Sequence, residues 1–133
     1  MVLDRVFEFA AEILILLFLV ITLLQSGYDK ITDWNGNLSF LKDHFKATPF
    51  AKPVGFLLGT ILVFEIISGI MLLLGVYTIL AYGVTYFALW ASMLSAITLI
   101  FLLLGQRVAK DYAGAMTIAV YFIVNIIGVF LLQ

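Results

Sequence analysis

Between Pro53 and Gly75 the chain runs for twenty-three residues with one charged side chain, Glu65, and the next twenty-nine, Val76 to Leu104, carry none. A helix over the first stretch is about 33 Å long, and a bilayer core is about 30 Å thick. In lipid such a run has to bond its backbone groups internally, which makes it a spanning helix. The composition agrees: 65% of the 133 residues are hydrophobic and 11% charged, against roughly 45–50% and 25% in soluble domains. A mean hydropathy of +1.21 leaves no room for a soluble domain. The chain reads as one small integral membrane unit.

The same counts exclude several functions. A formal net charge of −1 gives no basic field for nucleic acid. Without cysteine the chain cannot form disulfides, thiolate–zinc or iron–sulfur sites, or use thiol catalysis. His44 is the only histidine, so a bis-histidine haem is excluded too. No metal-bound or covalently held cofactor is expected, so any electron transfer has to use a bound organic molecule, of which a quinone or a lipid is a candidate, or a partner chain.

The first span is expected over residues 5–31. Asp4, Glu8 and Glu12 precede its apolar run and no small-residue cleavage site follows, so it reads as a retained helix and not as a signal peptide. At 100° per residue, Arg5, Glu8, Glu12, Ser26 and Lys30 fall within about 40° of one line. These residues read either as interfacial side chains that snorkel and pair locally or, for the short acid Glu12, as part of a buried site. Residues 31–52 are the main polar segment. Asn35-Gly36 signals a turn there, and Asn37 can cap a short interfacial helix over about 37–46. His44, within it, reads as a surface residue. The second span is expected over 53–75, with proline in its first turn and Gly75 ending it in a tight turn. A third is expected over 78–104, with Tyr77, Tyr82 and Tyr86 as an interfacial belt. The fourth runs over 112–132. The fold class is all-α: a polytopic, up-down bundle of four transmembrane helices forming a single domain, with a short interfacial helix after the first.

Helical rise gives depths. Measured from the charged connections, Glu65 lies about 18 Å down, Ser92 about 20 Å and Asn125 about 21 Å. A shared polar layer is therefore expected, with Glu12 roughly 9 Å deeper and Lys30 too shallow to reach Glu65 directly unless the first helix is displaced. Two readings compete. Glu65 could hydrogen-bond Asn125 or Ser92 and fix helix register. Alternatively, Glu65 and Glu12 could line a cavity that handles a proton or the polar head of a lipophile, a desolvated carboxylate being suited to proton donation to a quinone. The cation count places the connections bearing Lys42, Lys46, Lys52, Arg107 and Lys110 in the cytoplasm and both termini outside.

Two motifs resemble those of the DoxX family, small four-helix bacterial membrane proteins. Gly27-Tyr28-Asp29-Lys30 looks like the family's Gly-x-x-Lys at the end of the first helix. Glu65-Ile-Ile-Ser-Gly69-Ile-Met-Leu-Leu-Leu-Gly75 looks like its Glu-x-x-Gly-Gly-x-x-Leu-Leu-Leu-Gly, with Ser68 in place of the first glycine, and Arg5 matches an arginine often found before the first helix. Where members often continue with an aromatic or basic residue, Val76-Tyr77-Thr78-Ile79 is uncharged, which departs from any anion site at that turn. The motif residues are Arg5, Gly27, Lys30, Glu65, Gly69 and Gly75. The resemblance implies residence in the bacterial inner membrane and roles for Lys30, Glu65 and Arg5, but no agreed reaction. It also implies work beside membrane redox complexes, the family's name coming from a subunit of a thiosulfate:quinone oxidoreductase. The first functional expectation is a subunit or accessory of a quinone-linked oxidoreductase. The second is a non-catalytic adaptor or assembly factor whose polar layer only fixes the bundle. A transporter has thinner support, with one midplane acid and no evident repeat. Expected partners are the bilayer, other membrane or redox subunits, or a second copy of the chain.

Overall fold

A computed structural model describes residues 2–133. The chain forms α1 (Val2–Glu8), α2 (Ala10–Thr32), α3 (Trp34–Phe45), α4 (Val54–Tyr82), α5 (Tyr86–Val108) and α6 (Tyr112–Leu132). Four of these, α2, α4, α5 and α6, are long and apolar enough to cross a membrane. They pack in the ring order α2–α4–α5–α6, with α6 returning to α2 over a smaller contact. Short connections make neighbours antiparallel, as in an up-down bundle.

Polar side chains stand inside the bundle and large apolar ones on its outer surface. Glu65, Ser68, Ser92, Ser95, Thr98 and Asn125 are fully buried, while Leu14, Ile21, Val63, Ile70, Ile97 and Phe130 are exposed. Lipid tails are as apolar as leucine, so helices in a bilayer gain from close packing of small and polar residues and not from hiding apolar ones. In α2 the buried positions Ile13, Leu16, Val20, Leu23 and Gly27 follow helical spacing and face α4 and the core.

Three expectations about boundaries are corrected. The first span is not continuous from residue 5: Phe9, at φ −113° and ψ 33°, separates α1 from α2. Arg5 is thereby directed at the far end of α4, where Nη1 donates to Leu80 O at 2.9 Å. A cation at a helix C-terminus is favourable. The helix after α2 begins at Trp34, after the single residue Asp33, so Asn37 lies inside it and does not cap it. Asn37 Nδ2 donates instead to Asp33 O at 2.8 Å. Trp34 lies beside Gly59 and Leu38 beside Gly55, so the first turns of α3 run antiparallel along α4.

Gly75 does not end a helix. α4 continues to Tyr82 and stops at Gly83, whose φ of 67° is left-handed and whose N–H returns to Ile79 O at 2.8 Å. A mid-helix glycine costs about 1 kcal/mol, too little to interrupt a helix whose backbone has no water to bond instead. Gly75 serves contact: a Cβ there would lie 2.9 Å from Ala88 Cα. Because α4 extends seven residues further, α5 starts at Tyr86 and not near residue 78.

The obstruction at Gly75 is backbone, which no rotamer change relieves. Gly75→Ala is expected to lower the stability of the bundle by about 1–2 kcal/mol net of the better helix propensity. Gly59→Ala, whose Cβ would meet Trp34 at an ordinary 3.8 Å, should be neutral or stabilising. Unfolding midpoints in detergent compare the two.

Candidate functional site

Small-to-large contacts set the register between α2 and α4. A Cβ on Gly27 would collide with Ile66, and one on Gly69 would collide with Leu24. With Gly27 against Ile66 and Leu24 against Gly69, the turn holding Lys30 lies beside the turn holding Glu65. Side chains on a helix point toward its N-terminus, and Lys30 folds back to donate to Ser26 Oγ at 2.7 Å. There its Nζ lies 2.8 Å from Glu65 Oε1.

This overturns the expectation that Lys30 is too shallow. That estimate placed Lys30 and Pro53 in one plane, whereas the first turns of α4 project past the end of α2 and are covered there by α3. It also replaces the expected bond from Glu65 to Asn125 or Ser92. Asn125 instead bridges the backbone of α5. Its amide orientation is fixed by its neighbours, with Nδ2 donating to Ser92 O at 3.1 Å and Oδ1 accepting from Ala96 N at 2.8 Å.

Nor do the polar residues share one layer. Across α4 and α5, Gly75 meets Ala88, Ser68 meets Thr98 at 3.2 Å, and the rings of Phe64 and Phe101 lie 6.0 Å apart. Glu65 is therefore level with residues 99–101, and Ser92 with residues near 73. The offset along the bundle is about 12 Å. It follows from the longer α4, which shifts every residue of α5. Glu12 is half-buried and lies about 27 Å along α2 from Lys30, away from both groups.

Glu65 is 0% exposed and Lys30 15%. Glu65 Oε2 has no hydrogen-bond partner among the described residues, nor does Ser92 Oγ. A buried acceptor left unmatched costs about 1–3 kcal/mol and more when charged, so the carboxylate is suited to accept from a donor brought to it. Glu65 forms part of the wall of a cavity of about 320 Å³ between α2, α5 and α6, whose polar lining includes Thr22, Gln25, Ser26, Asp29 and Tyr121. Lys30 lines a second cavity of about 420 Å³ beneath α3. The ion pair, with Leu102, which borders both, divides the two spaces. Among the described residues no three His, Asp or Glu side chains gather as metal ligands would. The sequence reading missed Thr22 and Gln25; Asp29 stood in it only as a motif neighbour of Lys30, and Tyr121 only as a member of the polar-and-small face of the last helix. Ser26 was visible in it as a member of the polar stripe that contains Lys30.

Comparison with protein families gives a match to the model described as DoxX over residues 13–105, well over half of the chain. Lys30, Glu65 and Ser92 fall within that range, while Arg5, Glu12 and Asn125 lie outside it. No match was found among curated proteins or among solved structures.

Removing one partner of a buried ion pair typically costs about 3–5 kcal/mol. Lys30→Met, which strands the carboxylate, should approach that loss. Glu65→Gln should cost less, because a lysine can extend its ammonium toward the surface. The double variant should recover most of the stability. Detergent unfolding of the three variants measures this order, and equal losses in all three would contradict it.

Proposed function

The chain belongs to the DoxX family, and we propose that it works in a bacterial inner membrane as a subunit or accessory of a quinone-linked oxidoreductase. In this reading the Lys30–Glu65 pair receives the polar head of the lipophile or its proton. The observation that carries it is the free oxygen of Glu65: a fully buried carboxylate with Oε2 unmatched, in the wall of a cavity with hydroxyl and amide groups. A water arriving there donates to it, and positioned carboxyls of this kind transfer protons.

The competing reading, an adaptor whose polar groups only hold the helices in register, is less well supported. Register already has fixings elsewhere: Gly75 against Ala88, Ser68 to Thr98, and Asn125 on the backbone of α5. Side-chain hydrogen bonds in membranes average about 0.6 kcal/mol each. A desolvated ion pair costs several times that to bury, an expensive device for a task that neutral bonds perform.

Co-purification from native membranes should recover redox subunits together with a quinone. Glu65→Gln is expected to keep that assembly while quinone-dependent turnover of the complex falls about a hundredfold or more. Intact assembly with unchanged turnover would leave the adaptor reading standing. The topology is tested through the absence of native cysteine. A membrane-impermeant maleimide should label Gln133→Cys in intact cells, and Lys46→Cys only after the membrane is opened.

A further inference from the structure

The second cavity differs in character from the first. Its wall is largely apolar, with Phe45, Val54, Leu58, Phe101 and Leu102, and its volume of about 420 Å³ lies in the range of small-molecule sites. Phe40 of α3 and Phe101 of α5 both line it and are both exposed on the outer surface. α3 packs on α4 and α2, so the side between α3 and α5 opens toward the region that lipid occupies.

Charge selects the occupant. The titratable groups in the wall are Lys30, His44 and Asp111, and His44 Nδ1 lies 2.8 Å from Phe40 O within α3. Lys30 is neutralised by Glu65 at 2.8 Å, and Asp111 Oδ1 accepts from Gly114 N at 3.1 Å as the cap of α6. The wall therefore offers no unpaired cation to hold an anionic head, and its one carboxylate, Asp111, is already engaged at the start of α6, so a neutral head is the best match. Lys30 Nζ has three N–H donors. Ser26 Oγ takes one of them and Glu65 Oε1 faces the ammonium as its ion-pair partner at 2.8 Å, which leaves donor capacity for a further acceptor.

We propose that the cavity beneath α3 binds a neutral lipophile whose carbonyl head accepts from Lys30, while the polar cavity on the Glu65 side takes water and not the lipophile. The pair then touches the ligand through its ammonium and water through its carboxylate. This rests on the reading that Lys30–Glu65 meets a polar head, and it adds which cavity the ligand fills and what charge it carries.

The test uses the full chain in detergent micelles with Trp90→Phe, so that Trp34 alone reports. Trp34 packs on Gly59, next to the cavity residue Thr60. Decylbenzoquinone should quench it saturably. Methyl decanoate should compete, and decanoate and decylammonium should not. Gly105→Leu places bulk in the cavity from a position where the Cβ itself has room, 3.8 Å from the Phe45 ring. It should weaken quenching by about tenfold or more, with Ala109→Leu as an independent second obstruction. Thr22→Leu, in the polar cavity, should leave binding unchanged. Weakening by Thr22→Leu and not by Gly105→Leu or Ala109→Leu, or equal competition by decanoate, overturns the proposal. If only the Lys30→Met, Glu65→Gln double variant abolishes quenching, the cavity assignment fails while the role of the pair stands. Absence of saturable quenching removes both. Binding as expected, with turnover indifferent to Glu65→Gln, removes only the oxidoreductase reading.

Discussion

The pairing of Lys30 with Glu65 holds together the rest of the interior. A carboxylate with no exposure can persist at that depth only beside a cation, and the cation arrives only if α2 and α4 hold one register. Gly27 and Gly69 favour that register by admitting Ile66 and Leu24, whose side chains would have to shift if either glycine carried a Cβ. The pair in turn forms the partition between two cavities of different polarity. Loss of either glycine contact would therefore displace the charge, the partition and both spaces together.

Around this centre the bundle is built as lipid requires. Serine, threonine, alanine and glycine occupy the seams of α4, α5 and α6, and large apolar side chains form the outer sheath. The polar contacts fall at two depths. Near the level of Glu65 are Ser26, Lys30, Ser68 and Thr98, and about 12 Å away Asn125 is bonded to the backbone of α5. Beyond that, Arg5 closes the far end of α4 through Leu80 O. Of the group level with Glu65, Ser26 and Lys30 border the cavities while Ser68 and Thr98 join α4 to α5, so cohesion is supplied at every depth and the cavities open at one of them.

How much of this was legible varies by residue. Glu65 was conspicuous because a lone acid in an apolar run is costly and rarely incidental. Lys30 and Ser26 were visible as members of one helical stripe. Their meeting with Glu65 was not, because depth counted from helix ends assumes ends that lie level. Gly75 misled for a related reason: glycine marks both the end of a helix and a close crossing of two, and only the position of Ala88 separates these. Tyr121 was visible only as one of several residues on the polar-and-small face of α6, and Thr22 gave no signal at all, since a half-polar side chain on an apolar helix is ordinary until a cavity is seen beside it.

The sequence by itself determined four spans, their up-down order, and which ionisable groups stand inside the apolar chain. Those properties are local: hydropathy, helical period and residue count act within one segment. The tertiary structure alone decided that Lys30 reaches Glu65, that Ser92 and Asn125 stand apart from it, and that two cavities meet at the pair. These depend on the axial offset of one helix against another. That offset is set by contacts such as Gly27 with Ile66 and Gly75 with Ala88, which lie far apart along the chain and leave no trace in the periodicity of either helix.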